Sequence, residues 1–192
     1  TQRWRRHRRG VFDLPGDSGH ELPRHDAARH ANLHSARAST RSCERAVISH
    51  ASAAIAYGLP TACRLGRACL TVPAGTALRS LAEVHLHRAT LPAEQIARHN
   101  GYPTTAPART ILDLAREHGV DAGVAAADAA LRTEVTTAGE LEAALEICAG
   151  WPGRAAARTT VDMCDAGAES PLESLSRVRL LRARMPAFVL QA

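Results

Sequence analysis

Five arginines fall within the first nine residues, Arg3, Arg5, Arg6, Arg8 and Arg9, with no acid among them. That density of fixed positive charge attracts phosphate, so this segment is the first candidate for nucleic-acid contact, against the plainer reading of a solvated basic tail. Two histidine arrangements invite a metal reading. His85 and His87 are two apart in a strand-like run, which sends both to one face; a metal pair is one outcome and a solvated polar face the more ordinary one. Cys63 and Cys69, with His50, offer soft and borderline ligands but lack the short spacings of metal motifs. Arg109 and Asp113 stand four apart on a helical pattern and read as a surface ion pair worth a few tenths of a kcal/mol. The chain contains no Gly-rich phosphate loop, no Gly-x-Ser-x-Gly elbow and no His-Glu-x-x-His, so no catalytic residue, metal ligand or cofactor is assigned.

The composition bounds what can hold such residues in place. All 24 basic residues are Arg, and Phe, Trp and Tyr together number six in a 192-residue chain. A core made mainly of Ala, Leu and Val follows, with little area buried per side chain and modest stability expected. The Arg-for-Lys and Ala bias also fits a GC-rich coding sequence. The formal charge of +5 is concentrated at the ends: residues 1–45 carry +5, residues 46–170 carry −3 and residues 171–192 carry +3. No apolar run is long enough to span a bilayer, and the basic start has no apolar segment behind it. The five cysteines form no Cys-x-x-Cys pair, which suits reduced thiols. A cytoplasmic protein is expected.

The elements that must position these groups are legible in part. Arg3–Gly16 places a Gly between two short segments before a Pro-Gly turn, the pattern of a basic β-ribbon. Residues 17–45 are rich in His and Arg with only two Leu, and predict a helix around Asp26–Ser39 with a thin apolar stripe. Ser49 is placed as the cap of a short helix that Gly58 stops. Ala68–Val72 and Glu83–Arg88 read as strands. Thr105 is placed as the cap of a helix that has Pro107 in its first turn and ends at Gly119; a further helix covers Ala122–Thr133. Thr137 and Glu140 form a capping box for the next, running to Gly150, and another covers Arg154–Cys164. Ser170 and Glu173 form a second capping box, followed by Leu172, Leu175, Val178 and Leu181 at helical spacing up to Met185-Pro186. Strands followed by helices make the fold class α+β.

Taken in order, Arg3–Gly16, Val47–Ala54 with Gly58-Leu59, Pro103–Ala115 and Ala127–Arg132 resemble actinobacterial proteins of the AbiEi antitoxin family of type IV toxin–antitoxin systems. The resemblance implies a winged helix-turn-helix that binds DNA, of which residues 1–16 would be the wing, then a helix or linker at 17–45 and an AbiEi-like α+β domain at 46–166. Glu169–Ser174 is similar to the opening helix of very-short-patch-repair endonucleases, which would make residues 167–192 the start of an incomplete domain. The chain is thus expected to be an internal piece of a larger protein. Its expected function is that of a DNA-binding transcriptional regulator or antitoxin, with DNA and a toxin as partners and no membrane. The alternative is the N-terminal part of an endonuclease whose catalytic strands would follow residue 192. Glu173 alone cannot hydrolyse a phosphodiester, and it reads better as a helix-capping residue. As it stands, the chain is not expected to be an enzyme.

Overall fold

The computed structural model describes residues 5–8, 11–13, 24–43, 45–76 and 82–183. Near the start, β1 (Arg5–Arg8) and β2 (Val11–Asp13) pair antiparallel, with Arg5 opposite Asp13 and an irregular register between Arg6 and Arg8.

The first helix, α1 (Arg24–Thr40), runs longer than its thin apolar stripe suggests. Its buried side is completed by polar groups. Asn32 donates to the Gly66 carbonyl at 3.2 Å and accepts from Ser52 Oγ at 2.6 Å, while Ala36 is fully buried. Five strands form the main sheet: β3 (Val47–Ile48), β4 (Ala68–Val72), β5 (Val84–Arg88), β6 (Ile96–His99) and β7 (Tyr102–Thr105), in the order β5-β4-β3-β7-β6. β3 runs antiparallel to β4 and parallel to β7, β4 and β5 are parallel, and β6 and β7 form a hairpin. The hairpin's two-residue turn is Asn100-Gly101, both at positive φ (49° and 81°), as a type I′ connection requires.

A short α2 (His50–Ala56) follows β3, and a 3₁₀ turn at Ala93–Gln95 precedes β6. The second half is helical: α3 (Pro107–His118), α4 (Val120–Arg132), α5 (Ala138–Ile147), α6 (Arg154–Met163) and α7 (Pro171–Arg182). The mixed sheet and helices agree with an α+β class.

Two of the four expected caps form. Thr137 Oγ1 accepts from the Glu140 amide at 3.2 Å while the Glu140 carboxylate accepts from the Thr137 amide at 2.9 Å, completing the reciprocal box. Ser170 Oγ accepts from the Glu173 amide, and the Glu173 carboxylate accepts from Ser170 Oγ and the Glu169 amide, so Glu173 acts as a capping residue. The other two differ. Ser49 makes no capping bond; its Oγ is taken by Thr71 and His50 inside the protein. Thr105 is the last residue of β7, bonded through Oγ1 to Thr110 Oγ1 at 2.7 Å, and Ala106 holds the N-cap of α3.

Two apolar clusters hold these layers together. Leu70 and Val72 of β4, Val84 and Leu86 of β5, and Ile48 of β3 pack with Ala36 of α1. Ile111, Leu112 and Leu114 of α3 pack with the alanines of α4 and with Leu141, Leu145, Cys148 and Ala157. The many small residues let helices approach closely. A Cβ at Gly123 of α4 would run into Thr160 Oγ1 and lie 2.6 Å from Ala115 Cβ, so the side chains of α3 and α6 already fill that space. Gly123→Ala is therefore expected to lose about 1–3 kcal/mol to overpacking, exceeding the roughly 1 kcal/mol that Ala gains over Gly in a helix. Chemical denaturation checks this, and a stabilised variant would contradict the close approach.

On α7 the expected apolar stripe is buried only in part, at Val178 and partly at Leu175. Leu172 and Leu181 are exposed (73% and 41%), whereas Ser174 and Val178 are buried, and the helix packs on α4. Arg177 also ties the helix to the Met163 carbonyl and the Asp128 carboxylate.

Candidate functional site

Alternation along β4 and β5 sorts their side chains into two sets. Leu70, Val72, Val84 and Leu86 join the cluster with α1, so the intervening Cys69, Thr71, His85 and His87 belong to the other face. The parallel register places Cys69 beside His85 and Thr71 beside His87. This second face is polar yet covered, because the start of α2 and the end of α3 deliver His50 and Glu117 onto it.

The rings of His50 and His87 stack with centroids 3.6 Å apart and planes inclined by 14°. His85 also stacks on His87, with centroids 4.3 Å apart. The Glu117 carboxylate faces three imidazole nitrogens: its Oε2 lies 3.8 Å from His50 Nε2, 3.9 Å from His87 Nε2 and 3.7 Å from His118 Nε2. Behind His50, Nδ1 lies 3.0 Å from Ser49 Oγ, which accepts from Thr71 Oγ1 at 2.8 Å. His50 adopts a φ of 50°, in the left-handed region, at the point where β3 passes into α2. A non-glycine residue in that region is held by its surroundings.

Burial dominates the electrostatics. It lowers the pKa of both His50 and His87 to about 3, with further depression of His50 by the Arg109 and Arg116 charges and of His87 by its histidine neighbours, so both rings are neutral near pH 7. His87 Nε2 is buried with no hydrogen-bond partner among the described residues. The expectation of a solvated His85/His87 face is thus corrected, since the sheet is covered on both sides. The Cys63–Cys69–His50 grouping does not assemble as a ligand set: His50 meets His87 and Glu117 instead. The Cys69 thiol donates to the Arg67 carbonyl, and burial pushes its pKa up to about 12. Among the described residues, no cysteine is in a disulfide.

A second polar constellation lies on α3, and it corrects the reading of Arg109–Asp113 as a surface pair. Arg109 is 2% exposed and Asp113 is fully buried. Arg109 Nε donates to Asp113 Oδ2 at 2.8 Å, and Arg116 Nη1 donates to Oδ1 at 2.7 Å. Arg109 Nη1 also donates to Gln95 Oε1. Both guanidinia lie over the Trp151 ring, 4.3 and 4.9 Å from its centroid. Burial raises the Asp113 pKa, and the two arginines pull it back. The network ties the 3₁₀ turn before β6 to α3 and to the segment before α6. Sequence spacing finds the pair, but not the tryptophan and glutamine that bury it.

Of the arginines expected to contact DNA, Arg5, Arg6 and Arg8 lie on β1, while Arg3 and Arg9 fall outside the described residues. None of the described helices is long and apolar enough to cross a membrane. No curated protein sequence and no solved structure matches the chain. Residues 46–162 match the family model of the AbiEi antitoxin C-terminal domain; that is more than half of the chain, which therefore belongs to the AbiEi antitoxin family.

Proposed function

We propose that this chain is part of a DNA-binding regulator of a toxin–antitoxin system, acting in the cytoplasm on a partner toxin and on DNA. The observation that carries this reading is the family match over residues 46–162. In this reading the matched domain serves the antitoxin role, and the basic N-terminal ribbon contacts DNA. Arg3, Arg5, Arg6, Arg8 and Arg9 act as a wing that binds phosphates or reaches into the minor groove. The paired backbone of Arg5–Arg8 and Val11–Asp13 and the concentration of charge in this segment support that assignment.

Fluorescence anisotropy of the full chain against random-sequence duplex DNA tests it, over roughly 50 to 200 mM salt. Binding is expected to weaken with salt. Removing residues 1–10 should flatten the slope of log K against log salt by about 0.9 for each phosphate that the ribbon neutralises. An affinity and slope unchanged by the deletion would remove the ribbon from the DNA interface.

A further inference from the structure

We propose that His50, His87 and Glu117 form a binding site for a divalent transition-metal ion of the zinc class, separate from the N-terminal ribbon proposed to contact DNA. The donor atoms of these three residues all lie within 4.8 Å of one another, and they come from three separate elements: the start of α2, β5 and the end of α3. Metal–nitrogen and metal–oxygen bonds of about 2.0–2.2 Å need donors somewhat closer together than this, and the two stacked rings must rotate out of their stack for both in-plane lone pairs to meet one ion.

The chemistry of the donors selects the ion. Two imidazoles and one carboxylate suit zinc, cobalt, nickel or ferrous iron, whereas magnesium and calcium take oxygen ligands almost exclusively. Burial keeps both imidazoles neutral, the form in which a ring nitrogen offers its lone pair. The Glu117 carboxylate, whose side chain is 27% exposed, supplies the negative charge. Three protein ligands with one open position are the pattern of zinc sites that keep a bound water.

Two further features point to a ligand between these groups. His87 Nε2 is buried without a hydrogen-bond partner among the described residues, so its desolvation is not offset by a protein donor or acceptor. His50 is backed by the Ser49–Thr71 hydroxyl pair: with Nδ1–H donating to Ser49 Oγ, the lone pair of Nε2 is directed to Glu117. An ion bound here would pin β5, α2 and α3 together, making the fold's stability depend on free metal concentration.

The test uses the full chain, stripped of metal with a chelator and titrated with Zn²⁺ alone. One equivalent is expected to bind, with a rise in melting temperature, while Mg²⁺ gives neither. His87→Ala and Glu117→Gln should each weaken Zn²⁺ binding by about 100-fold or more, because even changes behind the ligands cost about 10- to 100-fold. His99→Ala, at a ring that packs edge-on against Tyr57, should leave binding unchanged. Glu117→Gln keeps the shape of a partly exposed side chain, so it decides the matter if His87→Ala fails to fold by circular dichroism. Co²⁺ loaded in place of zinc should give visible d–d bands without thiolate charge transfer. Failure of the folded wild-type chain to bind Zn²⁺ stoichiometrically, or binding that survives Glu117→Gln unchanged, overturns the site. Thiolate charge-transfer bands in the Co²⁺-loaded chain would place the ion on cysteine and overturn the site equally.

Discussion

Replacing Asp113 with Ala is expected to cost about 3–5 kcal/mol, the range for breaking a buried ion pair by removing one partner, which is a large part of the roughly 5–15 kcal/mol that holds an ordinary domain together. The reason lies in what remains. Arg109, 2% exposed, would keep its charge with Gln95 and the Trp151 ring but without the Asp113 anion, and Arg116 would be deprived of its 2.7 Å bond. Asp113→Asn keeps the shape and one acceptor oxygen and should fall between wild type and Ala. The pair is not expected to be worth that much in net terms, because two buried charges also give up their hydration. A double variant, Arg109→Met with Asp113→Leu, should therefore be more stable than Asp113→Ala alone. Urea denaturation of the four proteins separates the effects. A cost below about 1 kcal/mol for Asp113→Ala would return the pair to the surface-bridge class.

The same pair shows where the sequence is informative and where it is silent. Spacing of four on a helical pattern correctly makes Arg109 and Asp113 neighbours, because that rule depends on local geometry alone. Whether their face is wet depends on Trp151 and Gln95, which are distant in sequence, and no local pattern encodes that. His85 and His87 follow the same logic. Alternation places them on one face of β5, but only the sheet's two-sided cover turns that face into the site with His50 and Glu117. The helices of the second half are the most legible elements, since caps such as Thr137 with Glu140 and stops such as Gly119 act within a turn.

Three strands escape a reading of the sequence for identifiable reasons. β3 is two residues long and offers no period to detect. Pro103 argues against a strand in β7, because it brings no amide to the ladder. β6 is short and only half covered, although the Asn100-Gly101 turn that joins it to β7 is itself a legible hairpin signal. On α7 the leucine spacing is only partly informative: Val178 is buried as it predicts, Leu172 is 73% exposed, and no local pattern announces the contact that Arg177 makes with Asp128.

That contact leads to the second large effect, the destabilisation expected for Arg177→Ala. Asp128 of α4 is 1% exposed and accepts from the Asp165 amide at 2.7 Å through Oδ1 and from Arg177 Nη2 at 2.7 Å through Oδ2. Arg177 Nη1 donates in addition to the Met163 carbonyl at the end of α6. One guanidinium thus joins α7 to both α4 and α6, while burial pushes the Asp128 carboxyl pKa up. Truncation to Ala would leave that carboxylate without its counter-ion and the Met163 carbonyl without its Arg177 donor, at a cost of about 3 kcal/mol. Arg177→Lys keeps a charge but cannot serve both acceptors with a planar fork, so it should recover only part of that stability. Asp128→Asn with Arg177→Ala should cost less than the sum of the two single changes, a coupling of about 1–3 kcal/mol in a double-mutant cycle. Coupling near zero would mean that α7 is held by Val178 and its apolar contacts alone, and that the ion pair merely accompanies the packing.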